Sequence, residues 1–338
     1  MAAIASDAVS DTTPDFLDDV LSGLQRRPKQ IAPKYFYDRA GSDLFDRICE
    51  LPEYYPTRTE LGILERHAGD MANAIGANAL LIEPGCGGCT KVRYLLDALN
   101  KPAGFVPVEI SGEHMLENLG PLRAQYPDLP LHPLCADFTQ PFELPAACDQ
   151  NARRVLFFPG STIGNFMPRE AEDLMRALRK LVDADGMVLL GVDQVKQSLV
   201  LEQAYNDQAG VTAAFNRNLL HRINTELDAD FRLENFRHKA LWNAHEQRIE
   251  MHLVSAQRQR VHIDGHGIDF QPGEALITEY SYKYTDARLA DLAATSGFRV
   301  RQRWTDARDW FGVYLLDTQE KTPAGGSRRA SRNSENAR

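Results

Sequence analysis

A glycine-rich turn directly after an apolar run is the feature that most constrains this fold. The apolar residues 79–82 are followed by Glu-Pro-Gly-Cys-Gly-Gly at positions 83–88, and leucines at helical spacing come next. In a doubly wound sheet, the first strand-to-helix turn needs glycines so that the backbone can bend sharply and approach a ligand. The pattern predicts an α/β sheet with a nucleotide-like cofactor at this turn, and an ordinary structural turn is the alternative.

The charge of this turn indicates which cofactor it binds. A dinucleotide-binding fingerprint has a third glycine one helical turn further on, and Thr90 stands there instead. Glu83, at the end of the predicted strand, would repel a diphosphate and attract a cation. The sulfonium and amino groups of S-adenosylmethionine are positive, so the turn favours that cofactor.

Acidic residues also follow the next two predicted strands. Glu109 ends the run at 105–109, where a carboxylate can accept hydrogen bonds from both ribose hydroxyls; an acid near the start of the next helix is the alternative. Asp137 and Phe138 follow a third short run, where the Asp could accept the adenine amine and the Phe could face the ring. Three loops at one sheet edge therefore carry chemistry suited to one cofactor.

The overall composition excludes several classes of protein. The 338-residue chain has a formal net charge of -9 and no basic stretch in its body, so nucleic acid is not an expected partner. No apolar run approaches the roughly 20 residues that span a bilayer, and the N-terminus lacks signal-peptide features. We therefore expect a cytoplasmic enzyme that acts as a monomer, with a small-molecule substrate and no membrane partner.

The cysteines do not form a disulfide framework, because there are five of them at irregular spacings. Cys86 and Cys89 form a C-x-x-C motif, but a structural zinc site needs a second pair at ligand spacing, and none is present. A redox role is a further alternative, because the motif lies near a predicted helix start. We interpret these thiols as small residues in a tight turn and expect no metal.

Short apolar runs and helical stretches alternate over residues 79–195, which is typical of a parallel sheet with crossover helices. The predicted strands of this region are residues 80–83, 105–109, 131–135, 155–158 and 187–192. The chain returns to this sheet near residue 285, with a helix at 286–296 and strands at 298–304 and 311–316. Such a closing hairpin is typical of Rossmann-like methyltransferases and unusual in nicotinamide-dependent oxidoreductases, which are the weaker alternative.

The pattern differs in the intervening segment. A helical stretch near 213–227 precedes runs at 248–254 and 260–263 that alternate as antiparallel strands do. We expect this insertion and the N-terminal helical part to form an α+β substrate-binding domain over the strand ends. The predicted division is a disordered end at 1–14, a helical part at 15–70, a core at 71–195, an insertion at 196–284, the rest of the core at 285–317 and a disordered tail at 318–338.

The chain contains four longer motifs, at residues 41–46, 51–60, 160–165 and 209–218. In these motifs it resembles the S-adenosylmethionine-dependent histidine Nα-methyltransferases of ergothioneine biosynthesis, and the resemblance extends from Tyr35 to Leu316. The resemblance implies a class I methyltransferase domain, a substrate domain, and three successive methylations of the histidine α-amine to the betaine hercynine.

The resemblance also implies roles for individual residues. The implied cofactor-binding residues are Gly85, Gly87, Lys91, Glu109, Asp137, Phe138 and Gly160. The implied substrate-binding residues are Tyr54, Asn165, Tyr205, Met251, Glu279 and Ser281, with Tyr37 and Tyr54 as the catalytic tyrosines. In the family, the Asn and a tyrosine hold the α-carboxylate of the amino acid, while the Glu and Ser bind the imidazole of free L-histidine.

The first turn departs from the family pattern, because Pro84 and Cys86 stand where relatives usually have Leu and Ser. Two alternatives keep the same scaffold. One is a related N-methyltransferase acting on another free amino acid or a biogenic amine, and the other is a catalytically silent binding protein. Tight binding of S-adenosylmethionine would exclude the second.

Overall fold

The computed structural model describes residues 16–110, 112–182 and 184–319. In this part of the chain the helices, α1 to α9, are Phe16–Gln25, Arg39–Glu50, Tyr55–Ile75, Val92–Ala98, Gly112–Gln125, Pro168–Arg179, Ser198–Tyr205, Val211–Glu226 and Asp286–Thr295. The strands, β1 to β13, are Lys29–Gln30, Ala79–Pro84, Gly104–Glu109, Leu134–Cys135, Arg153–Phe158, Met187–Asp193, Phe236–Asn243, Arg248–Ser255, Gln259–Ile263, His266–Phe270, Ala275–Tyr282, Phe298–Thr305 and Phe311–Thr318. The ends predicted to be disordered lie outside the described residues, apart from positions 318 and 319.

The central sheet has the strand order β12-β13-β6-β5-β2-β3-β4. Strands β2 to β6 run parallel to one another, while β13 lies antiparallel to both β6 and β12. This arrangement confirms the predicted α/β sheet with a closing antiparallel hairpin. The strand order reverses at β2, and open α/β sheets bind ligands beyond the carboxyl ends of the strands at such a switch point. The glycine-rich turn that follows β2 therefore starts at the expected ligand-binding edge.

Both faces of the central sheet are covered, which explains why its strands are nearly continuous apolar runs. Every residue of β2 is buried, and alternate side chains enter different cores. Leu80 packs in a core that includes Leu174 of α6 and Leu289 of α9, whereas Leu81 packs in a core that includes Ile63 of α3 and Leu95 of α4. Because successive side chains of β2 point to opposite faces, the strand packs against a helical layer on each side of the sheet.

A second sheet, in the order β1-β11-β8-β7, joins two segments that are distant in sequence. Strand β1 comes from the N-terminal part and the other three come from the insertion. Its core contains Leu24 of α1, Leu201 of α7, Phe215 of α8 and Leu253 of β8. Strands β9 and β10 pair separately as an antiparallel hairpin.

One predicted strand was too long. Of residues 131–135, only Leu134 and Cys135 pair with β3 as a strand, and Leu131 makes an isolated bridge to Phe105. Pro133 interrupts the ladder because proline has no N–H to donate. The other predicted strands of the central sheet, and the helix at 286–296, end within two residues of their predicted limits.

Candidate active site

The turn after β2 is held against the end of β3 by backbone hydrogen bonds. Gly85 and Gly87 have φ angles of 69° and 49°, which glycine adopts without strain. The Gly85 amide donates to the Val108 carbonyl at 2.7 Å, and the Gly87 amide donates to Glu109 Oε2 at 3.1 Å. Glu109 Oε1 accepts the amide of Ile110 at 2.9 Å. A carboxylate oxygen has two lone pairs, so Glu109 is fixed in place and can still accept ribose hydroxyls.

Glu83 is a buried carboxylate at the base of this turn. Its Oε2 atom has no hydrogen-bond partner in the described part of the chain. Burial raises the pKa of Glu83 well above its usual value, and Lys91 offsets only part of that rise. A buried polar atom without a partner is costly, and a cationic ligand at the turn would supply one. The residues present therefore fit S-adenosylmethionine.

A buried acid that was not among the predicted site residues connects two turns of the sheet. Glu60 on α3 is 1% exposed, and its Oε2 lies 2.6 Å from Lys91 Nζ. The Gly160 amide, in the turn after β5, donates to both Glu60 carboxylate oxygens at 3.0 and 2.9 Å. Glu60 thus ties Lys91 to Gly160, and its place at the end of the 51–60 motif is the sequence signal that could have identified it.

Asp137 and Phe138 lie beyond β4 at the same sheet edge. Asp137 Oδ1 accepts from the amide and the hydroxyl of Thr139 at 2.9 and 2.6 Å, while Oδ2 lies 3.4 Å from Lys34 Nζ. The Phe138 ring lies over the first turn, since a Cβ atom at Gly85 would be only 3.2 Å from its Cε1. The structure therefore brings the turn and Phe138 together.

Three predicted tyrosines belong to one aromatic cluster. Phe45 contacts Tyr37 and Tyr54 with ring centroids 5.7 and 6.3 Å apart, and Tyr54 meets Tyr205 edge to face at 6.1 Å. Burial raises the pKa of all three tyrosines above the usual value. Their hydroxyls therefore stay protonated at neutral pH and act as hydrogen-bonding groups rather than as bases.

Strand β11 presents two predicted substrate residues on one face. Side chains alternate along a strand, so Glu279 and Ser281 share a face with Lys283, while Tyr280 packs in the core of the central sheet. Met251 of β8 is the register partner of Glu279. Burial raises the pKa of Glu279 to about 7, and Lys283 partly opposes this rise. In the described part of the chain, no group donates a hydrogen bond to Glu279.

Tyr37 is influenced by one acid from the predicted cofactor site and by one from the predicted substrate site. Burial is the main cause of the raised pKa of Tyr37, and the nearby carboxylates Glu279 and Glu109 raise it further. Tyr37 is therefore within electrostatic reach of both the candidate imidazole-binding acid and the candidate ribose-binding acid.

Asn165 lies at the end of a short 3-10 helix that follows β5 and packs tightly on β11. A Cβ atom at Gly164 would come within 2.6 Å of the Tyr282 carbonyl oxygen, so only glycine fits there. Ser161, just before this helix, adopts a left-handed conformation with a φ of 59°. The Asn165 side chain makes no hydrogen bond with a described residue, which leaves its amide for a ligand.

A buried charge cluster, which was also not predicted, surrounds Lys283 on this same face of β11. Lys283 Nζ is 2.8 Å from Asp193 Oδ2, and the Tyr55 hydroxyl donates to Asp193 at 2.7 Å. Lys196 contacts the same carboxylate. Burial opposes ionisation of Asp193, but the two lysines hold its pKa below the usual value. The sequence signal that could have singled out Asp193 is an acid at the end of a predicted strand, which is the signal used for Glu109.

The described residues, 16–110, 112–182 and 184–319, contain no group of three or more His, Cys, Asp or Glu side chains placed to hold a metal ion. Within the same ranges, no helix is long and apolar enough to cross a membrane. Cys86 and Cys89 are buried free thiols. Hydrogen bonding to Cys89 and burial raise the pKa of Cys86, which makes it a poor nucleophile.

The central sheet, its closing hairpin and the acidic turn at the switch point define a class I S-adenosylmethionine-dependent methyltransferase. The chain belongs to the family of histidine-specific, S-adenosylmethionine-dependent methyltransferases, which it matches over residues 16–318.

Named relatives of the chain come from bacteria and fungi. It is 41% identical over 304 residues to the histidine N-alpha-methyltransferase of Mycobacterium tuberculosis, covering 88% of this chain and 93% of that protein. It is 40% identical over 303 residues to the enzyme of the same name from Mycolicibacterium smegmatis, with the same coverage. It is 27% identical over 307 residues to ergothioneine biosynthesis protein 1 of Neurospora crassa, covering 86% of this chain and 33% of that protein.

Proposed function

We propose that this protein methylates the α-amino group of free L-histidine three times, with S-adenosylmethionine as the donor, to give hercynine in the first step of ergothioneine biosynthesis. The observation that carries this proposal is the pairing of Glu279 and Ser281 on one buried face of β11. A carboxylate and a hydroxyl can satisfy both nitrogens of an imidazole, and side chains lacking those nitrogens would leave buried polar groups unpaired. Family membership and the names of the bacterial relatives support the same substrate.

The cofactor supplies an electrophilic methyl group on a positively charged sulfur. In this proposal Glu109 binds the ribose hydroxyls, and Asp137 and Phe138 bind the adenine. Gly85 and Gly87 let the backbone of the first turn approach the ligand without a side chain between them. The cofactor side is completed by Lys91 and Gly160, which Glu60 holds together.

The substrate side orients the free amino acid. Asn165 and a tyrosine hold the α-carboxylate, because an Asn amide and a tyrosine hydroxyl both donate hydrogen bonds. Tyr37 and Tyr54 position the amine so that its lone pair points at the methyl carbon. Met251, opposite Glu279 on β8, packs against the ring of the substrate.

The amine must be neutral to attack. An α-ammonium has a pKa near or above ~8, so only a minority is deprotonated at neutral pH. The pKa values of Tyr37 and Tyr54 lie above the usual value because the phenols are buried, so neither is a useful base. Burial of the amine lowers its own pKa, and the site therefore binds the neutral form. Each of the first two transfers leaves a methylated ammonium that must lose a proton to solvent before the next transfer. The third transfer leaves a permanent cation, which the aromatic faces can attract with roughly 1 kcal/mol each.

The test is to incubate the purified protein with S-adenosylmethionine and a mixture of free amino acids, then identify methylated products by mass spectrometry. We expect histidine to gain three methyl groups in place of three protons. Methylation of a different amino acid would keep the fold and overturn the substrate assignment. Cofactor binding without any product would point to a larger amine substrate.

A further inference from the structure

Lys283 is a buried lysine whose three N–H groups all have partners. Its side chain is 1% exposed and lies just after β11, on the same face as Ser281. The ammonium contacts Asp193 Oδ2 at 2.8 Å, donates to the Tyr205 hydroxyl at 3.0 Å, and donates to Ser281 Oγ at 2.8 Å. An ammonium has three donors and no acceptor, so its bonding capacity is filled and its orientation is fixed.

The two hydroxyls that Lys283 contacts are also bonded to each other. The Tyr205 hydroxyl donates to Ser281 Oγ at 2.8 Å. Ser281 Oγ therefore accepts two hydrogen bonds, and its own proton must point away from both donors. If the bond between the hydroxyls ran the other way, the outward proton would belong to Tyr205 instead. In either arrangement, one hydroxyl proton of this pair is left over, and no described residue accepts it.

We propose that Lys283 is a positioning residue that forces the Tyr205–Ser281 hydroxyl pair to act as a hydrogen-bond donor toward the substrate ring. This inference rests on the proposed function. Glu279, two residues before Ser281, can only accept when ionised. One donor and one acceptor on the same strand face match a neutral imidazole, which has one bare nitrogen and one N–H. Without Lys283, the hydroxyl pair could accept as well as donate, and the site would no longer require a ring nitrogen with a lone pair.

The test compares histidine with its two pyrrolylalanine isomers. Each isomer keeps one ring N–H and replaces the other nitrogen with C–H. For the better isomer, we expect wild type to show kcat/KM at least ~10-fold below that for histidine, because the outward proton would be left unpaired. In Lys283→Met this ratio should fall toward one. A purely structural role would lower kcat/KM for both substrates equally and leave the ratio unchanged, which would overturn the inference.

Two further variants complete the test. Lys29 is another buried lysine in the same sheet, paired with Glu274 at 2.5 Å, so Lys29→Met is the matched control and should keep the wild-type ratio. If Lys283→Met fails to fold because Asp193 is left with one cation fewer, the double variant with Asp193→Asn removes both charges and should show the same loss of ratio. Wild type that methylates neither histidine nor the analogues would overturn the proposed function itself, whereas an unchanged ratio overturns only the role of Lys283.

Discussion

Replacing Glu279 by glutamine should make the protein more stable at alkaline pH. Glu279 is 9% exposed, and no group in the described part of the chain donates a hydrogen bond to its carboxylate. Burial raises its pKa from 4.5 to about 7. A carboxyl whose pKa is higher in the folded state stabilises the fold most below the unfolded pKa, where it is protonated. That contribution is lost as the pH rises through the folded pKa.

The size of the effect follows from the pKa difference. A rise of about 2.5 in pKa corresponds to about 3 kcal/mol of lost stability once the group is ionised in both states. Glutamine has nearly the same shape and does not ionise. Glu279→Gln should therefore be more stable than wild type by about 3 kcal/mol near pH 8.5, and by less than ~1 kcal/mol near pH 5.

Urea unfolding of the ligand-free protein at these two pH values measures the difference directly. Glu274→Gln is the matched control, for which we expect a loss of stability at alkaline pH instead of a gain. Burial opposes ionisation of Glu274, but its hydrogen bond with Lys29 lowers the pKa below the usual value. A lowered carboxyl pKa stabilises the fold above the unfolded value, so this variant should lose stability at pH 8.5, with a smaller loss in acid.

A Glu279→Gln variant that is no more stable than wild type at pH 8.5, or that gains the same stability at both pH values, would contradict this expectation. Either result would mean that the Glu279 carboxylate is not destabilised by burial. The expected gain in stability accompanies a loss of histidine use, because glutamine replaces an ionised acceptor with a neutral amide. A destabilising group at a binding site is common where function requires it.

Two further predictions concern Glu60 and Tyr54. Glu60→Gln removes the buried anion that contacts Lys91, so we expect the free energy of unfolding in urea to fall by roughly 3 kcal/mol and cofactor binding to weaken in calorimetry. Unchanged values would contradict the role of Glu60 in holding Lys91 and Gly160 together. Tyr54→Phe should lower kcat/KM for histidine but keep its rise between about pH 7 and 9, because the amine and not the phenol titrates there; loss of that rise would identify the phenol as the base.

Much of the fold could be predicted because its signals are local. The apolar run before Gly85 and the acid Glu109 at the next strand end are readable from short windows of sequence, and both lie where the topology requires. Strand β1 could not be predicted, since two residues carry no period and the strand exists only by pairing with β11. The start of β4 was misjudged because Pro133 removes one ladder donor.

The residues that sequence reasoning missed act through distant partners. Glu60 contacts the amide of Gly160, 100 positions away, and Asp193 contacts Lys283. No local pattern distinguishes such an acid from a solvated one, because its partner becomes a neighbour only in the folded chain. The roles of Glu279 and Ser281 were implied by family resemblance, and their shared face on β11 gives those roles a physical basis.

Calorimetric titration of two variants tests most directly whether Glu109 binds the cofactor and Glu279 binds histidine. S-adenosylmethionine is titrated into the free protein, and histidine is titrated into protein saturated with S-adenosylhomocysteine. Losing a hydrogen bond to a charged group costs ~1.5–3 kcal/mol, so Glu109→Ala should weaken the cofactor roughly 10- to 100-fold and spare histidine. Glu279→Ala should do the reverse. Equal weakening of both ligands by both substitutions would contradict the account.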